Sequence, residues 1–214
     1  MTLSPYIRFF GDFVNASEEL TLLHEYISHM DESLEKARIA CQKAGTPAPK
    51  TELIIAEDKA ELLASPFPLI LHEGFIISSI IFLEQELGRF AVAIRSTEGL
   101  GLSLRDLSGS LIERFRKYVE LVGNMPLLIS TSLWEDIRGA LEIRNCLVHN
   151  SGRLEGFNRA PLIDSFAGRH NTPHIEDRWM RVNRDTSIKL LEVIESFVRA
   201  MYESSFVRYP KRKK

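Results

Sequence analysis

The sequence predicts an all-α helical bundle of about five main helices, with an irregular insertion before the last one. Apolar residues recur at three- and four-residue steps over most of the 214 positions, and glycine and proline clusters interrupt that period at intervals. A content of 44% hydrophobic and 26% charged residues is the balance of a globular chain. At this length roughly 70% of the extended-chain surface can be buried, so an apolar core needs no disulfide or metal staple.

From Ser17 to Ala44, the residues Leu20, Leu23, Ile27, Met30, Leu34, Ala37 and Cys41 trace one face of a long amphipathic helix, which the segment Gly45 to Pro49 ends. Thr51 to Ala64 reads as a short helix closed by Ser65-Pro66-Phe67-Pro68. From Leu69 to Ile94 apolar residues surround nearly the whole circumference, which predicts the helix at the bundle centre. Ser96 to Arg105 is a connection, and Leu107 to Val122 returns to a helix that Gly123-Asn-Met-Pro126 breaks. The spacing Ser132-Leu-Trp-Glu135 is that of a capping box, opening a helix that Asn150-Ser-Gly152 terminates. Residues 153–182 hold Gly156, Pro161, Gly168 and Pro173 with no sustained period, a long segment expected to bind or to cover something. Asn183 or Asp185 then caps a last helix through Ile188, Leu191, Ile194, Phe197, Val198 and Met201. The chain reads as one domain over 1–207, followed by a basic tail over 208–214.

The formal charge is −2, but Arg208, Lys211, Arg212, Lys213 and Lys214 crowd the end and leave 22 basic against 29 acidic residues, a body of net −7. An acidic body argues against holding nucleic acid on a broad basic face, while a local contact stays open. Two cysteines in no paired framework, Cys41 and Cys146, suit a reducing compartment. The first residues show no basic segment leading into an apolar one, and the strongly apolar run Gly74 to Leu83 is about half of a bilayer span. The expectation is a cytoplasmic protein with no membrane partner.

There is no Gly-rich phosphate loop, no GxSxG elbow, no HExxH and no CxxC pair. His24 and His29 lie five apart, about 140° around a helix, which suits a shared metal poorly. His72, near the start of the apolar helix, reads as structural. The informative stretch is Leu141-Glu-Ile-Arg144-Asn145-Cys-Leu-Val-His149-Asn150. Arg144 falls on the stripe drawn through Ile137, Leu141 and Val148, where an apolar residue is expected, and a desolvated guanidinium needs an anion. His149 closes the same helix with a side chain that exchanges protons near neutral pH. A purely structural reading pairs Arg144 with a carboxylate such as Glu142 or Asp136 and leaves His149 to cap the helix end. With 18 Arg and 6 His, about half a match to R-x4-H arises by chance. The chain holds two, the second being Arg169 to His174, where Pro173 removes the helical setting.

The segment from Trp134 to Gly152 resembles the HEPN signature, an Arg followed by a polar residue and, after four to six positions, a His near the end of a late helix in an all-α bundle. The similarity covers about Ser17 to Ser205, and only the Arg144-Asn145 to His149 stretch is diagnostic. The resemblance implies a metal-independent endoribonuclease without cofactor, of bacterial toxin or anti-phage defence type. It also implies a homodimer whose two motifs line one cleft, with RNA as substrate and an antitoxin or other regulatory protein as a further partner. It assigns proton transfer to His149, stabilisation of charge on phosphorus to Arg144, and orientation of one of them to Asn145. Some toxins of the family carry a Tyr two residues beyond the His; here that position is Ser151. Other members are non-catalytic nucleotide-binding or protein-interaction modules, the alternative function.

Overall fold

Pro5 opens a helix, α1, that runs to Ala44 in a computed structural model describing residues 4–44 and 50–211. The helix starts twelve residues before the predicted Ser17. Phe9, Ala16, Leu20 and Ile27 are buried at seven- and four-residue steps, so one core-facing stripe continues past Gly11 and Asn15. The predicted break at Gly45 to Pro49 and the last three residues of the basic tail lie outside the described residues.

The chain continues through α2 (Lys50–Ala64), α3 (Phe67–Glu98), a 3-10 turn (Leu104–Asp106) and α4 (Leu111–Lys117), which widens into a π-helical turn over Tyr118–Val122. The predicted helix from Leu107 to Val122 is therefore shorter and of two kinds. Gly123 closes the wide turn by donating to the Tyr118 carbonyl at 2.8 Å, and a Cβ there would stand 2.9 Å from both Ile94 Cγ2 and the Val119 carbonyl oxygen. Only glycine fits that approach.

Next come α5 (Thr131–Asn150), α6 (Ala160–His170), a hairpin of β1 (His174–Glu176) and β2 (Trp179–Arg181), and α7 (Arg184–Arg208). Ser130, not Ser132, caps α5, accepting from the Leu133 amide at 3.2 Å, while the Ser132 hydroxyl meets that of Ser130. Asn183 caps α7 as one of the two predicted residues, through the Thr186 amide at 3.0 Å.

Residues 153–182 are more ordered than the expected irregular insertion. α6 buries Ile163 and Phe166, and the hairpin pairs Ile175 with Met180. Three-residue strands are too short to show a period, whereas α6 has one, Ala160, Ile163 and Phe166 at three-residue steps, and Pro161 in its first turn is a helix start rather than a breaker. The Met180 amide donates to the Gly152 carbonyl at 2.8 Å, tying β2 to the end of α5.

The fold is an all-α bundle in which α3 packs against α1, α5 and α7. Phe90 of α3 sits at the centre of an aromatic cluster with Phe9 at 5.3 Å, Tyr202 at 5.3 Å and Phe115 at 5.9 Å between ring centroids. One carboxylate lies inside this core. Glu86 is fully buried, accepting from the Tyr202 hydroxyl at 3.0 Å and from Arg89 at 2.5 Å. Burial raises its pKa against the lowering pull of those two donors.

The expectation that α3 is enclosed on all sides is corrected. Phe75, Ile76, Ile80, Leu83, Leu87 and Ile94 are buried, while Ile70, Ile81 and Val92 stand 60%, 43% and 59% exposed. The helical stretch Glu57–Glu98 also meets the length and composition of a membrane span, which the ten-residue run alone did not suggest. Its α3 portion is a core helix here, with buried Glu86 and His72 among its inward residues.

Candidate functional site

The three motif residues all lie on the second half of α5, whose core face is Ile137, Ala140, Ile143, Cys146 and Leu147. Leu141 is only half-buried and Val148 is 47% exposed, so the stripe that carries Arg144 is the flank of the helix rather than its inward face. A stripe drawn through Leu141 and Val148 is rotated from the true one, because Cys146 and Leu147 take the inward positions instead. Arg144 is thus not a cation in the core. Its side chain is 22% exposed at the boundary between α5 and α3.

Arg144 is nevertheless held on two sides. One terminal nitrogen stands 3.6 Å from Glu84 Oε1 on α3, and the other donates to Asn145 Oδ1 at 3.0 Å. Asn145 in turn donates through Nδ2 to Glu142 Oε2 at 3.3 Å. The Arg144 Nε is buried and has no hydrogen-bond partner among the described residues. That atom is closed to solvent, so the donor capacity left for an anion lies on the two terminal nitrogens. Neither carboxylate of the structural reading pairs with it: Glu142 serves Asn145, and Asp136 serves α6. Glu84 is the partner that sequence reasoning missed, since nothing local links residues 60 positions apart.

His149 sits in the last turn of α5, exposed, with no side-chain hydrogen bond or ion pair among the described residues. Ser151 (φ 49°) and Gly152 (φ 81°) turn the chain immediately after it, and the Gly152 amide donates to the Cys146 carbonyl at 3.2 Å. Arg144 and Asn145 are brought together, whereas His149 lies five residues on, about 140° around the helix and roughly 7.5 Å along it. No bond joins it to Arg144. Cys146, between them in sequence, faces inward, and burial raises its thiol pKa, so it is no activated nucleophile.

A cavity of about 150 Å³ opens beside Asn145 between α5, α4 and α6, with Glu84, Glu142, Arg138 and Arg159 on its walls. The second R-x4-H string has a different use. Arg169 stands 2.7 Å and His170 2.9 Å from the same Asp136 oxygen, clamping α6 to α5, and the Phe166 ring lies 4.6 Å from that of His170. Residues 153–182 are anchored by this clamp and by β2.

Among the other histidines, His24 stands 3.5 Å from Glu195, while buried His72 meets Ser187 Oγ at 3.1 Å and Asp31 at 3.4 Å. The structural role expected of His72 agrees with that burial. No three His, Cys, Asp or Glu side chains among the described residues are grouped to hold a metal ion. Compared with protein-family models, with curated proteins and with solved structures, the chain finds no match.

Proposed function

We propose that the chain is a metal-independent endoribonuclease of HEPN type that works as a homodimer in the cytoplasm, within a toxin or anti-phage defence system. One observation carries this reading. A guanidinium fixed by Asn145 and Glu84 but still 22% exposed shares a helix with a solvent-facing imidazole that has no partner among the described residues, in the last turn.

A phosphate is the anion that suits the remaining N–H groups on the terminal nitrogens of Arg144. In the proposed reaction one His149 takes the proton of an RNA 2′-hydroxyl, and that oxygen bonds to the adjacent phosphorus. The P–O5′ bond breaks, and the His149 of the second copy gives a proton to the departing 5′-oxygen. The products are a 2′,3′-cyclic phosphate and a 5′-hydroxyl. Arg144 meets the extra negative charge on phosphorus, and Asn145 keeps it aimed. The 140° separation of the two residues within one chain is why a second copy belongs to the mechanism.

Glu84 favours a second reading. A carboxylate already 3.6 Å from Arg144 occupies ground a phosphate would need, which favours a non-catalytic protein-interaction module of the same fold. Incubating purified protein with mixed RNA in excess EDTA, beside His149→Ala, decides between them. Cyclic-phosphate ends from wild type alone support the nuclease; intact RNA in both reactions moves the assignment to the interaction module.

A further inference from the structure

Beyond Phe67 in its first turn, the exposed large apolar residues of α3 are Ile70, Ile81 and Val92, spaced by eleven residues each, three helical turns within about 20°. They form one straight line of roughly 33 Å along the helix. Between them on that line lie Gly74 and Gly88, and a Cβ at either would meet nothing within 4 Å among the described residues beyond the helix's own backbone. Glycine is unfavourable inside a helix, and no packing among the described residues explains these two.

The pattern reads the same in both directions about Ile81. Ile70 and Val92 lie eleven residues either side of it, and Gly74 and Gly88 seven. A surface of that kind is complementary to itself when a second helix runs antiparallel across it, as a two-fold interface requires. We infer that α3 pairs with α3 of a second copy of this chain, antiparallel, with the two-fold axis passing Ile81 and the glycines admitting close approach.

Glu84 and Arg89, on the two flanks, are each compensated by an ion pair within the chain, so like flanks can meet. Glu84 on one side of the line holds Arg144 of α5, and Arg89 on the other holds Glu19 of α1. An antiparallel two-fold therefore sets both α5 helices on the same side of the contact, whereas a parallel pair sets them on opposite sides. Glu73, on the α5 side, is half-buried and has no partner among the described residues. It falls about 7.5 Å along the axis from the second copy's Glu84, within reach of the guanidinium that Glu84 holds. A strip of 33 Å by one helix width is about half the area a stable dimer uses on each partner, so the α5 flank with Leu141 and Val148 supplies the rest.

This deepens the proposed function by placing the shared cleft, but its test needs no RNA. Light scattering on the whole chain at tens of micromolar is expected to give twice the 24.4 kDa chain mass, and Ile81→Arg, with unchanged circular dichroism, to give the monomer. In a Cys41→Ser background, a short bis-maleimide is expected to join Ile81→Cys to itself, and Ile70→Cys to Val92→Cys in a mixture, but not Ile70→Cys to itself. A wild-type monomer, a dimer indifferent to Ile81→Arg, or a monomer that floats with phospholipid vesicles through this face overturns the inference. RNA cleavage that fails while the crosslinks hold overturns the nuclease reading alone.

Discussion

The Arg144 guanidinium meets the Glu84 carboxylate at 3.6 Å, an ion pair that crosses from α5 to α3 rather than running along α5. In the nuclease reading this carboxylate competes with substrate phosphate for the same donors. Glu84→Gln is expected to tighten RNA binding several-fold, while Arg144→Ala lowers kcat by about 10²–10³. Equilibrium binding and single-turnover cleavage measure the two. Weaker binding in Glu84→Gln would instead show that Glu84 supports Arg144 rather than competing with RNA.

Tyr202 is the hydroxyl donor to buried Glu86, at 3.0 Å, with Arg89 on the other oxygen. Burial, then Glu86 itself, pushes the phenol far above its ordinary range, so it stays a donor at every accessible pH. Tyr202→Phe leaves one buried carboxylate oxygen short of its donor and is expected to cost about 1–3 kcal/mol in urea unfolding. An unchanged midpoint would mean that water or Arg89 replaces the hydroxyl.

Gly139 and Gly168 lie on the facing helices α5 and α6 and respond oppositely to a methyl group. A Cβ at Gly139 would stand 2.8 Å from Phe166 Cβ, which is anchored too close to its backbone to swing away, whereas one at Gly168 meets nothing within 4 Å. Gly139→Ala is expected to destabilise by about 1–3 kcal/mol. Gly168→Ala is expected to stabilise by about 0.4–1 kcal/mol through the unfolded chain. Thermal unfolding of the pair reads the difference in sign.

His72 has a lowered pKa because burial disfavours its charged form; Arg184 lowers it further, against the raising pull of Asp31 and Asp185. In the unfolded chain it titrates near the ordinary 6.5. Between the depressed folded value and 6.5 the unfolded state binds the extra proton, so stability rises with pH there and falls on acidification. The urea midpoint is expected to drop as the pH falls below about 7, with a shallower drop in His72→Gln. Parallel profiles for the two proteins would assign the acid sensitivity to other groups.

The helical class, the breaks at Pro66 and Gly123, the Asn183 cap and the placing of Arg144, Asn145 and His149 near the end of one helix were legible in the sequence. Each depends on residues within a turn or two, where periodicity and backbone preference act directly. The hairpin was not, because three-residue strands take their stability from the tie at Gly152 rather than from a period of their own, and α6 was not because Pro161 and Gly168 read as breakers although Ala160, Ile163 and Phe166 share one face.

What the sequence by itself determined is therefore local: which stretches are helical, where they stop, and that a basic and an imidazole side chain share one late helix. Only the tertiary structure decided that Glu84, 60 residues away, is the partner of Arg144, that Asp136 belongs to Arg169 and His170, and that Glu86 is the buried carboxylate. The physical reason is that a helical period shows which residues share a face but not which helix that face meets. Ion pairs and burial depend on the meeting, and for the line Ile70–Ile81–Val92 the face is still open in a single chain.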